Sequence, residues 1–356
     1  MLSYLSWLGI LAILPQAFAY WPHLYFFEAA SPSSNDEPKV QVKTLYQFPH
    51  NGSWVSNLAL RPDGSLLFTR LDVPEVWLVN TTSGDASVVH SFSNVTSCFG
   101  ISEIEDDVFG VVIGNFSTKT YTPTPGSFSL QKLDFNNVDD QDDRISTLPA
   151  VSEIAALPDA QALNGMATLS KESNLVLIAD SPKGAVWKVH TKSGNYSVAL
   201  NHTTMLPAKG QALPLGINGL KVVDDYVYYS STTRMEFCRV KVNSDGTAVG
   251  DYEVIASGFL PDNFDVTSDG TAYVATDPQN SVVRITPIGQ ISLVAGGQLS
   301  TQMPGPTSCR LAKDGKSLYV GTSGGQVAPV LGTFQEPGKV VTITLEQGDE
   351  TANSTT

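Results

Sequence analysis

The chain has 356 residues, enough for one large domain or two ordinary ones. Apolar residues make up 42% and charged residues 16%, which excludes a disordered chain and a coiled coil. The 21 basic residues against 35 acidic ones give a net charge of −14. This charge argues against nucleic acid and anionic membranes as partners, because both are bound through basic patches.

The first segment predicts entry into the secretory pathway. Residues 5–14 are almost wholly apolar, and Ala17-Phe18-Ala19 follows as an A-x-A cleavage pattern. Because the apolar run is too short to span a bilayer, we interpret residues 1–19 as a signal peptide. An uncleaved membrane anchor is the alternative. Residues 20–39 then form an N-terminal linker.

Glycosylation sequons agree with a secreted protein. Each N-x-S/T acceptor would have to lie on the surface. The seven acceptors are Asn51, Asn80, Asn94, Asn115, Asn195, Asn201 and Asn353. The three cysteines, Cys98, Cys238 and Cys309, allow one disulfide at most, and the sequence leaves the pairing open.

One pattern recurs six times: an apolar strand, an Asp-Gly-like turn, and a second strand rich in valine, tyrosine and isoleucine. The six turns fall at Asp63-Gly64, Asp106-Asp107, Glu172-Ser173, Asp224-Asp225, Asp269-Gly270 and Asp314-Gly315. Further apolar runs follow the copies, and no long amphipathic helix separates them. The pattern predicts an all-β fold, a six-bladed β-propeller with four-stranded blades.

The ends of the chain predict how the ring closes. The sixth copy lacks a fourth strand because it runs into the polar tail at residues 347–356. Residues 40–48 form an apolar strand that has no other partner, so we place it in the last blade, where it removes an open sheet edge. The propeller then spans residues 40–346. In the second copy we expect the fourth strand at residues 145–148, and an acidic surface loop over residues 136–143.

Ring geometry selects candidate site residues. In a propeller the first strand of each blade lines the central channel, and its leading residues face a mouth where ligands bind. These positions are Ser56, Asn57, Cys98, Phe99, Asn164, Asn218, Asp262, Asn263, Ser308, Cys309 and Arg310. Converging amide and carboxylate oxygens suit Ca²⁺ or Mg²⁺, or hydrogen bonds to a neutral ligand. Alternatively, Asn164-Gly165 and Asn218-Gly219 are turns that enter a strand.

The usual hydrolase and redox motifs are missing from the sequence. Residues 321–325 match G-x-S-x-G around Ser323, but Pro329 follows and no histidine stands in a partner context. We therefore expect Ser323 not to be a nucleophile. The sequence contains no H-E-x-x-H, C-x-x-C or G-x-G-x-x-G motif.

Three short motifs resemble those of SMP-30/gluconolactonase-like six-bladed propellers. They are Leu163-Asn164-Gly165-Met166, Ile217-Asn218-Gly219-Leu220 and Pro261-Asp262-Asn263-Phe264. In that family a Glu, two Asn and an Asp hold one divalent cation, and the Asp acts as base in lactone hydrolysis. The resemblance matches Asn164, Asn218 and Asp262 to three of these places and Ser56 to the Glu place. Because serine leaves a single carboxylate, we expect no cofactor, with Ca²⁺ as the alternative.

The signal peptide, the sequons and the entry Trp54-x-x-Asn57-Leu-Ala look closer to a secreted fungal branch that includes natural-product hetero-Diels-Alderases. This resemblance implies an enzyme of meroterpenoid-type secondary metabolism that binds small hydrophobic substrates. Its implied reaction joins a tropolone-derived quinone methide to a humulene-type terpene. Such a coupling needs reactants held in a near-attack pose and a few donors for developing oxygen charge.

Roles can now be assigned to the candidate residues. We take Asn164, Asn218, Asp262 and Arg310 as catalytic, with Arg310 stabilising negative charge, and Trp54, Asn57, Phe99 and Asn263 as substrate-binding. A Ca²⁺-dependent lactonase or esterase using Asp262 and a binding protein without turnover stay open. After signal cleavage we expect neither a membrane nor a nucleic acid as partner, and the oligomeric state is left open.

Overall fold

The computed structural model describes residues 40–136 and 148–345. The predicted signal peptide, the linker, the polar tail, Asn353 and nearly all of the acidic loop lie outside these residues. Among the described residues there is no helix with the length and apolar character that a membrane crossing requires.

The described residues form six four-stranded antiparallel sheets arranged as the blades of a propeller. The chain enters through β1 (Val42–Gln47) and then builds blade 1 from β2 (Val55–Leu60), β3 (Leu66–Arg70), β4 (Glu75–Val79) and β5 (Ala86–Ser91). Blade 2 contains β6 (Ser97–Glu105), β7 (Val108–Gly114), β10 (Ser129–Asp134) and β11 (Ala150–Ala156), with the small hairpin β8 (Phe116–Ser117) and β9 (Thr122–Pro123) inserted. Blade 3 contains β12 (Leu163–Ser170), β13 (Leu175–Asp180), β14 (Ala185–His190) and β15 (Tyr196–Asn201), followed by a short 3₁₀ helix (Thr203–Met205).

The second half of the ring repeats this order. Blade 4 contains β16 (Ile217–Val223), β17 (Tyr226–Ser231), β18 (Glu236–Val242) and β19 (Ala248–Ser257). Blade 5 contains β20 (Phe264–Val266), β21 (Ala272–Thr276), β22 (Ser281–Ile285) and β23 (Ile291–Gly296). Blade 6 contains β24 (Pro306–Leu311), β25 (Ser317–Thr322) and β26 (Lys339–Thr344), and β1 is its fourth strand.

Both termini of the propeller meet in blade 6, as predicted. β1 pairs antiparallel with β26, and Val42 lies opposite Ile343. This pairing confirms the closure inferred from the unpartnered strand. One predicted strand position is wrong: the fourth strand of blade 2 is Ala150–Ala156, not residues 145–148. The fourth strand is identified by its pairing with β10, in which Val151 of β11 lies opposite Leu133.

The turns between first and second strands share one backbone feature. In each of the six, one residue has a positive φ, which glycine, asparagine and aspartate tolerate best. These residues are Gly64, Asp107, Asn174, Asp224, Gly270 and Gly315. The Asp-Gly-like residues in the sequence therefore mark turns whose backbone requires a positive φ.

The hydrophobic core is divided among the blade junctions. Six clusters of buried apolar side chains each lie mainly between two neighbouring blades. Cys98, Cys238 and Cys309 are buried in three of these junctions and are not disulfide-bonded. The cysteines thus behave as small apolar residues of the core.

Side-chain hydroxyl groups also join the blades around the channel. A hydroxyl in one blade donates to a backbone carbonyl at the start of the next blade at four junctions. The pairs are Thr69 to Phe99, Ser181 to Ile217, Thr232 to Pro261 and Thr307 to Val55, at 2.6–2.7 Å. These buried bonds fix the first strands, which carry the candidate site.

We expect Thr69→Val to lower the free energy of unfolding by about 1–3 kcal/mol. The substitution leaves the buried Phe99 carbonyl and the Asn57 N–H, both bonded to the Thr69 hydroxyl, without a partner. Urea unfolding compared with the exposed control Thr301→Val measures the effect. Equal stability of both variants would contradict a role for the hydroxyl in joining the blades.

Candidate functional site

A deep cavity occupies one mouth of the central channel. In each blade the first and second strands are antiparallel, so the start of the first and the end of the second meet at the same mouth. The cavity encloses about 1000 Å³, counted out to the solvent at its opening, which is a size that accommodates small organic ligands. It is lined by residues from both kinds of strand end, together with three loops.

Bulges in the first strands aim the candidate side chains. The strand register shifts between Val55 and Leu58, between Leu163 and Met166, and between Ile217 and Leu220. These shifts contain Ser56 and Asn57, Asn164, and Asn218 respectively. A bulge changes the direction of a side chain without breaking the sheet, and bulges are common beside functional sites.

The glycines after the two asparagines have a packing role rather than a turn role. A Cβ on Gly165 would lie 2.6 Å from the backbone oxygen of Asn218, and one on Gly219 would lie 2.7 Å from Oδ1 of Asn263. Both contacts are too close for any other residue. The Asn-Gly pairs therefore lie inside strands, where glycine lets the next blade approach, and the turn alternative is wrong.

The wall of the cavity is apolar and partly aromatic. Trp54 and Phe99 are buried at its side, and Tyr121 packs edge-on against Trp54 with ring centroids 6.3 Å apart. Tyr121 belongs to the segment between β8 and β9, and its hydroxyl donates to the Gln326 carbonyl at 2.9 Å. The inserted hairpin and the loop carrying Gln326 are thus joined at this mouth. Such a wall suits an apolar ligand.

Polar groups gather at one side of this cavity. Asn218 donates through Nδ2 to Oδ1 of Asp262 at 2.8 Å and to Oγ1 of Thr232 at 3.0 Å. Asn164 donates through Nδ2 to Oγ of Ser181 at 3.4 Å. Both amide hydrogens of Asn218 are therefore engaged within the protein, so this side chain positions Asp262, whereas Asn164 keeps one amide hydrogen for a ligand.

A second carboxyl group, that of Asp277, lies beside Asp262. Asp277 follows β21, is 7% exposed, and lines the cavity. Its Oδ2 accepts from the Ser323 hydroxyl at 3.2 Å, while its Oδ1 is buried without a partner in the described part of the chain. An unbonded buried carboxylate oxygen is costly, so this atom is available to a ligand or to a proton.

Burial shifts the ionisation of both carboxyl groups. It raises the pKa of Asp277 from 3.8 to about 7. It also raises the pKa of Asp262 well above its usual value, and the nearby charge of Asp277 adds to this rise. No lysine or arginine of the described residues lines this cavity to offset the effect. At least one of the two groups is thus protonated near neutral pH when no cation is bound.

Comparison with blade 3 shows what is unusual about Asp277. Asp180 ends the second strand of that blade, and its oxygens accept from the backbone N–H groups of Gln161 and Ala162 and from the Trp187 indole. Those bonds make Asp180 a structural residue. Asp277 receives no such backbone bonds among the described residues. Asp277 was not predicted from the sequence, because only the fold shows that its side chain lacks these donors.

Most of the predicted site residues come together at this mouth. Lining residues among them are Trp54, Ser56, Asn57, Phe99, Asn164, Asn218 and Asp262. Asn263 lies behind this surface and donates to Oδ1 of Asn57 in a buried amide pair. The roles assigned to these side chains stay predictions.

The placement of Arg310 requires a correction. Arg310 lines a different cavity, together with Leu60 and Lys221, at the opposite end of the first strands. It lies near the end of β24, four residues after Pro306, and each strand residue advances the chain by about 3.3 Å. Arg310 therefore cannot share a mouth with Asp262, which precedes its own first strand. Ser308 and Cys309 are buried in the body of β24 and do not line the first cavity.

Two carboxyl groups, those of Asp262 and Asp277, line the cavity in which the sequence predicted at most one carboxylate ligand for a cation. Ser56, which the resemblance matched to a Glu ligand, accepts from Nδ2 of Asn57 at 3.0 Å. No group of three or more His, Cys, Asp or Glu side chains suited to a metal occurs among residues 40–136 and 148–345. Asp262, Asp277 and Asn164 nevertheless line one cavity and carry oxygen atoms of the hard type that Ca²⁺ prefers. A bound cation and protonation of one of the two carboxyl groups are thus alternatives at this site.

Ser323 is bonded to Asp277 and has no histidine partner in the described residues, as a nucleophile elbow would require. Its hydroxyl stabilises the ionised form of Asp277 and so lowers the pKa of that carboxyl. We expect Ser323→Ala to raise this pKa and to leave any activity at neutral pH in place. The pH dependence of activity measured beside Thr301→Val tests this, and complete loss of activity would point to a covalent hydrolase.

Comparisons with known proteins agree with this geometry. No protein-family model matches the chain. A protein of Phoma sp named "Putative hetero-Diels-Alderase" is 29% identical over 327 residues, which cover 82% of this chain and 89% of that protein. A second protein with that description, from Sarocladium schorii, is 27% identical over 338 residues, covering 82% and 80%. The chain resembles the hetero-Diels-Alderase group.

Solved structures with a similar fold include two proteins from bacteria. The calcium-binding protein regucalcin of Agrobacterium tumefaciens superposes with a TM-score of 0.59 at 14% identity, covering 86% of this chain and 96% of its own. A gluconolactonase of Xanthomonas campestris gives 0.55 at 13% identity, covering 86% and 90%. These likenesses confirm the six-bladed propeller expected from the sequence, and at such identities they concern the fold alone.

Proposed function

We propose that this protein is a pericyclase that couples two apolar reactants in the first cavity by a hetero-Diels–Alder reaction, without a cofactor. The observation that carries the proposal is the combination of an apolar, aromatic wall with two buried carboxyl groups, Asp262 and Asp277, that line the same cavity. The relatives named as hetero-Diels-Alderases support the reaction class.

The chemistry follows from what each side of the cavity offers. A cycloaddition needs no nucleophile; it needs two partners held in contact and stabilisation of the negative charge that develops on the oxygen of the hetero-diene. Trp54, Phe99 and Tyr121 would hold the reactants against the wall. The protonated carboxyl of Asp277, with the free amide hydrogen of Asn164, would donate to the oxygen on which negative charge grows.

The proposed reactants are a tropolone-derived quinone methide and a humulene-type terpene. A direct test supplies both to the purified protein and measures the rate and stereochemistry of adduct formation against heat-denatured protein. A faster rate with one stereoisomer in excess supports the proposal. A rate and isomer ratio equal to those of the denatured control would refute it.

A Ca²⁺-dependent lactonase or esterase is the second candidate. The observation that favours it is the second carboxyl, Asp277, which supplies an anionic ligand beside Asp262. In that case Asp262, Asp277 and Asn164 would hold the ion, and the ion would polarise the substrate carbonyl. Stoichiometric calcium after dialysis, with lactone hydrolysis that chelator abolishes, would favour this candidate over the pericyclase.

We also propose that the protein passes through the secretory pathway. Six sequons lie in the described residues. Five of the six acceptor asparagines are exposed, and the sixth, Asn115, is partly exposed. This exposure is compatible with glycan attachment, which requires surface acceptors. We expect glycosidase treatment of the protein secreted from a fungal host to lower its apparent mass. An unchanged mass, or mass-spectrometric detection of residues 5–14 on the secreted chain, would contradict this proposal.

A further inference from the structure

The opposite mouth of the channel holds a second, polar cavity. It encloses about 540 Å³ out to the solvent and is lined by residues from the far ends of the first strands. The charged side chains among its lining residues are Glu103, Lys221 and Arg310. The first cavity has no basic side chain among its described lining residues, so the two mouths differ in charge as well as in polarity.

A buried amide pair lies between the two cavities. Asn57 lines the first cavity and the next residue, Leu58, lines the second. Asn57 accepts a hydrogen bond from Asn263, which belongs to blade 5, and blades 1 and 5 are not neighbours in the ring. Their bond therefore crosses the channel, so a ligand of the second cavity is separate from the reactants proposed for the first.

Arg310 has more hydrogen-bonding capacity than its partner can use. Its Nη1 lies 3.4 Å from Oδ1 of Asp265, a long contact for an ion pair. The two oxygens of Asp265 already accept from the backbone N–H groups of Val266 at 3.1 Å and Leu311 at 2.9 Å. The Nε of Arg310 is buried and has no partner in the described part of the chain. This donor is therefore left for a ligand.

Lys221 adds a second positive charge at the same place. Burial lowers its pKa to about 8; the attraction of Asp265 opposes this shift, and the repulsion of Arg310 adds to it. Lys221 forms no ion pair with any residue in the described ranges. Lys221 and Arg310 are thus two cationic side chains beside a single carboxylate, that of Asp265.

The other acid of this cavity, Glu103, already has partners within the protein. Glu103 accepts from the Asp107 N–H through Oε1, and its Oε2 lies 3.0 Å from the ammonium group of Lys171. Lys171 also pairs with Asp106 at the surface. Lys221 and Arg310 therefore have one nearby carboxylate between them, that of Asp265.

We propose that the second cavity binds a small oxyanion, a carboxylate or a phosphate, between Arg310 and Lys221. The guanidinium would present its free Nε–H together with an Nη–H to two oxygens of the anion, a geometry for which arginine is suited. The ammonium group of Lys221 would contribute a point charge. The bound anion would satisfy the buried Nε–H and supply the missing counter-charge.

Thermal unfolding of the full-length protein in sodium phosphate and, separately, in sodium acetate tests the proposal, with ionic strength matched by sodium chloride. We expect stabilisation that saturates with one or both anions, as binding to the folded state requires. Arg310→Met and Lys221→Met should each weaken binding by about tenfold or more, because a charge-assisted bond is lost. The control Lys43→Met removes the same charge from an exposed position and should bind as the parent does.

The two anions distinguish the source of the ligand. Tighter binding of acetate indicates a carboxylate, and tighter binding of phosphate indicates a phosphate group. Should Lys221→Met fail to fold, Arg310→Lys tests the same site, because it keeps the charge and loses the paired N–H donors. No saturable stabilisation by either anion, or equal stabilisation of the parent, Arg310→Met and Lys43→Met, would overturn the proposal.

Discussion

Replacing Asp277 by leucine should lower kcat/KM of the proposed coupling by about 10²–10³-fold. We take this carboxyl as the donor for the reacting oxygen, because Asp277 lines the cavity and its Oδ1 is buried without a hydrogen-bond partner among the described residues. Adduct formation under single-turnover and steady-state conditions measures the loss. The fold should persist, because the Ser323 hydroxyl is the one hydrogen-bond partner of this side chain among the described residues.

Asp277→Asn is the matched control for this prediction. The amide keeps a hydrogen-bond donor of the same size but cannot ionise, so we expect a much smaller loss than with leucine. The parent should lose activity as pH rises through about 7, where the carboxyl of Asp277 loses its proton. The asparagine variant should lack this fall.

The opposite pattern would indicate different chemistry. If parent activity instead rises through neutral pH and Asp277→Asn is inactive, the group acts as a carboxylate. It would then be a general base or a calcium ligand, as in the lactonase candidate. Added chelator separates these two cases, because only the metal-dependent enzyme loses activity with it.

The free energy of unfolding should fall as pH rises from about 4 to about 7 because of Asp277. Burial raises the pKa of this group in the folded protein from 3.8 to about 7. Between these values the folded chain keeps a proton that the unfolded chain has lost, so a rise in pH favours unfolding. A tenfold change in proton affinity corresponds to about 1.4 kcal/mol, so the full effect reaches about 4 kcal/mol.

Other carboxylates also titrate in this range, so the difference between two proteins is the useful quantity. Chemical unfolding of the parent and of Asp277→Asn at several pH values gives this difference. The variant should gain on the parent as pH rises from about 4 to about 7. Asp180→Asn serves as control, because Asp180 is bonded to two backbone N–H groups and an indole. A constant difference between Asp277→Asn and the parent would show that Asp277 is ionised in the folded protein, as with a bound cation.

The repeating elements were predictable because their causes are local. The six strand–turn–strand copies follow from alternating apolar residues and from turn residues that tolerate positive φ, such as Gly64 and Asp107. The pairing of β1 with β26 was also predictable, since residues 40–48 had no other partner. The fourth strand of blade 2 could not be placed correctly because its position depends on the register with β10, a contact that local sequence patterns do not encode.

The site was predictable only in part. The asparagines and Asp262 stand out because they lead the first strands of their blades, and these residues do line one cavity. The sequence pattern assigns Arg310 to the same mouth because it does not distinguish the start of a strand from a position further along it. A shift of a few residues along β24 moves a side chain to the other end of the channel.

The sequence by itself determined the propeller, its six blades, its closure and the amide-rich entry to the channel, because each depends on short-range patterns or on chain ends. Only the tertiary structure showed that Asp277 joins Asp262, that Asn218 is engaged within the protein, and that Arg310 and Lys221 form a separate basic cavity. The physical reason is that burial and hydrogen-bond satisfaction are properties of surroundings. Asp180 and Asp277 are the same residue type near equivalent strand ends, and only their neighbours make one structural and the other available for chemistry.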